Sequence, residues 1–151
     1  MLPRVLFCLL LFASASAAQE REWVFMTSDD EAYLGFGVPD SDDAGITFSC
    51  AFQSGAIRIF IPESREHLVP GTTANIAIRA GGRDYSYSAA VAPNEEAGIP
   101  SLMADAAPGD ALFAALVAND RFGVVIAGEE DMYPLAGSDF DSLLRACRKG
   151  A

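Results

Sequence analysis

The sequence predicts a mainly β fold, either a β-sandwich or a partly closed barrel, with one crossing helix and a C-terminal helix tied to the sheet by a disulfide. Three observations lead to this class. Short stretches alternate apolar and polar residues with period two, Gly and Pro turns separate them, and two late segments have helical spacing instead. This order of elements is typical of a small β domain with helices packed on it.

The first residues predict a signal peptide over residues 1–18 and not a part of the fold. Arg4 supplies a positive start, Val5–Phe12 is a compact apolar run, and small residues follow up to Ala18, where cleavage is expected. The apolar run is far shorter than the roughly 20 residues of a bilayer-spanning helix, so no membrane span is expected after removal of the leader. Residues 19–151 are expected to form a single β-rich domain.

The strands are predicted from alternation and from the turns between them. Gly81–Gly82 is a tight hairpin turn between two alternating runs, and 128–131 is predicted as a polar turn between the last two strands. The stretch Ala92–Pro100 is expected to be the least structured part of the chain. The predicted strands are Trp23–Thr27, Ala32–Val38, Ile46–Cys50, Ala56–Ile61, Ala74–Arg79, Asp84–Ala89, Phe122–Ala127 and Met132–Leu135.

Two helices are predicted late in the chain. Pro108–Ala118 places apolar residues at i, i+4 spacing, with Pro108 and Asp110 suited to the first turn. The segment Phe140–Cys147 has apolar residues at i, i+3, i+4 and i+7, with Ser138 as the expected N-cap and basic residues in the last turn.

The two cysteines that would remain after leader removal, Cys50 and Cys147, are predicted to form a disulfide. Exported chains mature in an oxidising compartment. Period two places Cys50 on the buried face of a strand, and helical spacing places Cys147 on the buried stripe of a helix. Such a bond would close a loop of about 97 residues and contribute on the order of 4 to 5 kcal/mol. Two separate buried thiols are the alternative.

The acidic charge constrains the partners. The chain has 10 Lys and Arg against 21 Asp and Glu, a formal net charge of −11, and loss of Arg4 would bring it to about −12. Nucleic acids and anionic membrane surfaces would be repelled. The expected partner is therefore a neutral or cationic protein of the envelope or the medium, although the charge could also serve solubility alone.

No residue pattern predicts catalysis or a bound cofactor. His67 is the only histidine and lies in a polar loop, and no serine has a nucleophile-elbow pattern around it. The acid pairs Glu95–Glu96 and Glu129–Glu130 are adjacent and fit solvated turns. Tyr85 and Tyr87 share one strand face, which could stack a ligand or pack on the core. No catalytic, cofactor or metal residue is therefore assigned.

Between two apolar runs, the sequence "PDSDDAG" is the most charged short stretch. As a calcium loop it would place Asp40 and Asp42 at the first and third positions, but Ala44 stands at the fifth and Ala51 where a bidentate glutamate belongs. This composition argues against an EF-hand.

The same stretch fits a turn. Pro39 ends the preceding strand, aspartates can hydrogen-bond local backbone, and Gly45 is expected to accept a positive φ. A turn needs one aspartate, however, and three are present. Asp40, Asp42 and Asp43 are therefore candidates for binding a partner.

Several features together resemble one group of bacterial proteins. These are a strand that begins with Trp, a cysteine that ends an early strand, a strand with two tyrosines, the run "ALFAALVANDRFGVVI" from helix into strand, and a last helix ending "LLRAC". The combination is similar to small periplasmic proteins, nearest the type VI secretion accessory proteins of the VasI and TagO kind. The resemblance implies a non-enzymatic β-sandwich with Cys50 joined to Cys147.

The expected function is that of an exported binding or accessory protein of the bacterial envelope, secretion-associated and without catalysis, in the periplasm or secreted. One alternative is an inhibitor of a cationic secreted enzyme such as a lysozyme. A second is a small hydrolase, which a deep pocket with two convergent carboxylates, or His67 beside a serine, would favour.

Overall fold

The computed structural model describes residues 20–41, 43–52, 54–62, 68–95 and 98–149, the side chain of Lys149 excepted. The predicted leader, Asp42, His67 and Glu96 lie outside these ranges. Within them the chain forms nine strands and two helices. The elements are β1 (Glu22–Thr27), β2 (Glu31–Gly37), β3 (Ala44–Ala51), β4 (Ile57–Pro62), β5 (Thr73–Ala80), β6 (Arg83–Ala92), β7 (Ser101–Ala106), α1 (Ala111–Ala118), β8 (Arg121–Ile126), β9 (Glu129–Pro134) and α2 (Phe140–Lys149).

The nine strands form one antiparallel sheet in the order β1-β2-β3-β4-β7-β6-β5-β8-β9. The sheet curls into a half-barrel, which confirms the predicted class in its partly closed barrel form. The predicted crossing helix is α1, because it joins β7 to β8 and these strands are separated in the sheet by β6 and β5.

Contacts between the two ends of the sheet hold the half-barrel partly closed. Trp23, near the start of β1, donates its indole N–H to the carbonyl of Pro134 at the end of β9 over 2.7 Å. Beside it, Phe36 of β2 meets Tyr133 of β9 edge to face, with ring centroids 5.9 Å apart. The first and last strands are therefore joined through side chains.

The hydrophobic core lies between the inner face of the sheet and the two helices. Phe48 of β3 contacts Phe113 of α1 and Phe140 of α2, with ring centroids at 6.4 and 4.9 Å. All three rings are almost fully buried, and edge-to-face aromatic pairs of this kind add stability beyond the area they bury. The helices thus complete the layer that the open sheet leaves uncovered.

The predicted disulfide is confirmed. Cys50 of β3 and Cys147 of α2 are joined, with a Cα–Cα distance of 5.9 Å. Each residue is 3% exposed, as the two periodicities predict. The bond fixes the last helix to the third strand.

One strand and two element boundaries differ most from the sequence prediction. β7, which pairs with β4 and β6 at the centre of the sheet, was not predicted. The turn between the last two strands is only Ala127–Gly128, so Glu129–Asp131 belong to β9. Helix α1 begins three residues later than predicted, at Ala111, because Asp110 is its N-cap and accepts from the amide of Leu112.

In the described part of the chain, the helices are all too short or too polar to traverse a lipid bilayer.

Candidate functional site

A groove lies on the outer face of the first two strands, next to the acidic turn. In β1 the side chains of Trp23 and Phe25 face the core, so the alternate residues Val24 and Met26 face outwards. Met26 is 54% exposed. Across the pair, Met26 stands opposite Tyr33 of β2. These outward side chains form an apolar floor.

The aromatic wall of this groove depends on a glycine. The ring of Tyr33 lies against Gly35, and a Cβ at that position would overlap the phenol group. Because the ring lies flat on the strand, Tyr33 is half-buried, and burial raises the pKa of its hydroxyl. Glycine in a strand interior often marks such a close approach.

The turn between β2 and β3 closes one end of the groove. Val38 donates its amide to the carbonyl of Asp43 over 2.9 Å. Ser41 donates its hydroxyl to the carbonyl of Val38 over 2.8 Å and accepts the amide of Asp43 over 3.1 Å. The local hydrogen bonds that we expected from aspartates are therefore made, among the described residues, by a serine. Asp40 has a left-handed φ of 56°, a conformation that Asp tolerates better than most residues.

The structure places two of the three predicted aspartates on the same groove. Its volume is about 320 Å³, and Asp40 and Asp43 line it together with Val24, Met26 and Tyr33. We refer to this surface as the β1–β2 groove. Asp40 and Asp43 are the charged residues among the described ones that line the groove. Both are acidic, so the groove suits a partner group that is apolar and either neutral or cationic.

Asp43 is partly neutralised by a neighbour. Arg21 makes two contacts with its carboxylate, at 2.6 and 3.2 Å, and both side chains are about half exposed. Exposed pairs of this kind contribute at most about 1 kcal/mol, so a cationic partner could displace Arg21 at little cost. Asp40 also lines the groove.

Gly45 has a different role from the one predicted. It lies inside β3, is buried and does not have a positive φ. A Cβ there would stand 2.9 Å from the carbonyl oxygen of Phe36, next to the irregular register between Phe36 and Gly37. The glycine therefore permits close backbone approach at a bulge, and among the described residues of the loop the left-handed one is Asp40.

The two tyrosines of β6 are half-buried and pack against the core cluster, which favours the packing interpretation. Burial raises the pKa of Tyr87, and the nearby carboxylate of Asp110 adds to the effect. Within the described residues the phenol oxygen makes no hydrogen bond of good geometry. One oxygen of the Asp110 carboxylate accepts the amide of Leu112.

The other candidate residues do not converge on a site in the described part of the chain. Glu130 pairs with Arg79 over 3.2 Å on the outer face of the sheet, and Glu129 lies beside it at the start of β9. The described residues include no group of three or more His, Cys, Asp or Glu that could hold a metal ion. His67 and Glu96 lie outside these ranges.

A second groove was not predicted from the sequence. It lies where the end of β1 and the residue after β3 meet α2, and its walls include Phe25, Phe52 and Ala146, with Arg145 at its edge. We refer to it as the α2 groove. Three segments far apart in the chain form it, so no local sequence pattern could indicate it.

Comparison with known proteins found no matching family model, no matching curated protein and no matching solved structure. The functional conclusion therefore rests on the fold and on the two grooves.

Proposed function

We propose that the chain is an exported binding protein of the bacterial envelope that holds a neutral or cationic protein partner in the β1–β2 groove. One observation carries the proposal: a partly exposed apolar strip of Val24, Met26 and Tyr33 on the outer face of β1 and β2 lies beside the two carboxylates of the acidic turn. Exposed apolar strips with a charged rim are typical of protein contact sites. A secretion-associated accessory role, as the sequence resemblance implies, is part of this proposal.

Export from the cytoplasm is supported by the disulfide, since such bonds persist in oxidising compartments and are rare in the cytosol. The leader predicted over residues 1–18 supports the same location, in the periplasm or outside the cell. The intact mass of protein recovered from the periplasm or medium tests this step. We expect the mass of a chain that begins near Gln19 with two fewer hydrogens for the disulfide, and full-length protein retained in the cytoplasm would contradict export.

Position-specific photo-crosslinking in the envelope tests the groove itself. A photoreactive amino acid is placed at Met26 in one variant and at Met132 in the control, because both methionines are 54% exposed and lie on opposite edge strands. We expect a discrete cross-linked partner from position 26 and not from position 132. Equal products from both positions, or none from position 26, would show that the groove is not the contact surface.

The alternative in which the partner is a cationic secreted enzyme is favoured by the two carboxylates at the rim of the groove. Purified protein titrated into a lysozyme assay distinguishes it. Inhibition that is stoichiometric and lost in Asp40→Asn/Asp43→Asn would identify an inhibitor, whereas unchanged lysozyme activity leaves the accessory role.

A further inference from the structure

The α2 groove differs from the β1–β2 groove in charge as well as position. It has a volume of about 370 Å³, within the range of small-molecule sites. Its walls are largely apolar, and the polar residues on its rim are Thr27, Ser28 and Ser142. Among the described residues that line it, Arg145 is the charged one, so this lining carries a positive charge although the protein is strongly acidic.

The walls of the groove are held by contacts elsewhere in the fold. Phe25 and Phe52 are half-buried and pack against the core, and Phe52 donates its amide to the carbonyl of Asp30 over 2.9 Å. On the other side, Ala146 precedes Cys147, whose bond to Cys50 fixes the helix beside the sheet. The site is therefore largely formed before a ligand arrives, which lowers the entropic cost of binding.

Arg145 has hydrogen-bonding capacity to spare. Arg21, Arg58 and Arg79 each form an ion pair with a carboxylate, whereas Arg145 forms none with a described residue and acts on the carboxylate of Asp139 only from beyond ion-pair distance. Its Nη2 donates to the hydroxyl of Ser142 over 2.7 Å, which holds the guanidinium at the rim. A guanidinium has five N–H donors and binds carboxylates in a two-pronged geometry.

We propose that the α2 groove binds a small carboxylate that carries an apolar chain, with the chain between Phe25 and Phe52 and the carboxylate at Arg145. Two sources share this chemistry, a free alkyl carboxylate and the C-terminal residue of a peptide. The proposal concerns a different surface from the β1–β2 groove and is independent of the partner bound there.

Titration with defined probes tests the proposal on the purified, disulfide-bonded protein. Octanoate represents the free alkyl acid, N-acetyl-phenylalanyl-phenylalanine represents a peptide C-terminus, and octanol is the neutral control. We expect amide shifts in NMR spectra at residues 25–28 and 142–146, and tighter binding of the two acids than of octanol. The acid that binds more tightly identifies the source. Octanol binding as tightly as octanoate would overturn the role of the cation.

A pair of variants on the same helix isolates the guanidinium. Arg145→Gln should weaken octanoate binding about tenfold or more, because a charge-assisted contact is lost, and should leave octanol binding unchanged. Arg148→Gln removes the same charge from α2 at a position that does not line this groove, and its affinity should stay within about twofold of the wild type. Equal losses of octanoate affinity in both variants would show that only the overall charge of the helix matters, and would refute the site.

A variant that fills the groove provides an independent test. Ala146→Phe should abolish binding of octanoate and octanol alike, with the disulfide and the circular dichroism spectrum retained. If the folded variant binds octanoate as the wild type does, the site lies elsewhere. If it does not fold, the Arg145 and Arg148 pair still decides the question.

Discussion

Among the described residues, Ala127 has the least favourable backbone conformation for its type. It has a φ of 51° in the turn between β8 and β9, and Gly128 follows at 88°. Two successive left-handed residues make a tight hairpin turn, in which Asn-Gly is strongly preferred over Ala-Gly. A side chain with a Cβ but no local hydrogen bond makes this conformation costly.

Ala127→Asn should therefore stabilise the protein by about 0.5 to 1 kcal/mol, because Asn tolerates the left-handed region better than Ala. The measurement is urea unfolding at neutral pH. Ala136→Asn is the control, since Ala136 is an exposed loop residue outside the positive-φ region, and it should change little. An unaltered or lower midpoint for the Ala127 variant would indicate that the turn stores no strain.

The N-cap of α2 is Asp139 and not Ser138. Asp139 accepts the amide of Ser142 over 2.9 Å, whereas Ser138 donates its hydroxyl back to the carbonyl of Leu135 over 2.7 Å. Both residue types are good caps, so the sequence could not separate two neighbours. The hydrogen bonds from the side chain and backbone of Ser142 lower the pKa of Asp139 below its ordinary value of 3.8.

Asp139→Ala should lower stability by about 1 kcal/mol at neutral pH, and Ser138→Ala should lower it less. A carboxyl whose pKa is lowered by folding stabilises the native state above its unfolded pKa. That contribution is lost as the pH falls through the lowered folded-state value. The difference between wild type and Asp139→Ala should thus shrink below about pH 4 in thermal unfolding scans. A difference that is constant with pH would exclude the carboxylate as the cap.

At the level of elements, alternation predicted most strands because half-buried antiparallel strands expose one face. β7 was not predicted because Ser101–Ala106 contains Ala, Met and Asp in place of β-branched residues. Its buried residues Leu102, Ala104 and Ala106 nevertheless alternate along the strand. Its place between β4 and β6 depends on pairing with distant strands, which outweighs low intrinsic propensity. Glu129–Asp131 were predicted as a turn because acidic residues have low strand propensity. They form part of the exposed edge strand β9, which pairs with β8.

Helix α2 should be sensitive to charge on its buried stripe. Leu144 is 8% exposed, whereas Val117 of α1 is 48% exposed. Leu144→Asp buries a carboxylate without a partner and should cost about 3 kcal/mol or more. Val117→Asp places the same charge in water and should cost under about 1 kcal/mol. Chemical denaturation measures both, and similar losses in the two variants would mean that α2 is not firmly docked.

The disulfide also stabilises the docking of α2, because it holds this helix on β3. Replacing both Cys50 and Cys147 by Ala should lower the free energy of unfolding by about 2 to 5 kcal/mol. Thiol labelling of the denatured, exported wild type should find no reactive cysteine. Two reactive thiols per chain would show that the bond does not form. An unchanged melting temperature in the double variant would show that the bond does not stabilise the fold.

For the whole molecule, the sequence indicated the chemistry of the acidic turn but not the surface beside it. Asp40 and Asp43 could be singled out from local composition. The β1–β2 groove could not, since it needs the outward face of β1, the ring of Tyr33 lying on Gly35, and the turn that closes the end. Each part is ordinary in sequence, and only the strand register brings them together.

Asp40→Asn/Asp43→Asn should leave the fold intact and lower stability by no more than about 1 kcal/mol, which is the range of the exposed pair with Arg21. Association with a cationic partner should slow, and the difference from wild type should shrink at high salt, because the charges are screened. Asp29→Asn/Asp30→Asn, in the turn at the other end of β1, is the matched control. Equal association rates for both double variants at low salt would rule out recognition by the acidic turn.

Millimolar calcium should not change the melting temperature of the wild type, because the turn lacks the ligand pattern of an EF-hand loop. Differential scanning calorimetry with calcium or with chelator checks this. A rise in melting temperature with calcium that disappears in Asp40→Asn/Asp43→Asn would show that the acidic turn is an ion site.

The bond between Cys50 and Cys147 also sets the covalent topology of the molecule. It closes a ring that contains β4 to β9 and α1, while β1 and β2 stay outside. A protease cut within the ring, for example after β6, opens the circle but leaves both fragments attached through sulfur. A cut between β1 and β2 instead frees the first strand together with its half of the β1–β2 groove. Nicked protein should therefore migrate as one species until it is reduced, unless the nick falls before Cys50, in the first hairpin or in the turn between β2 and β3.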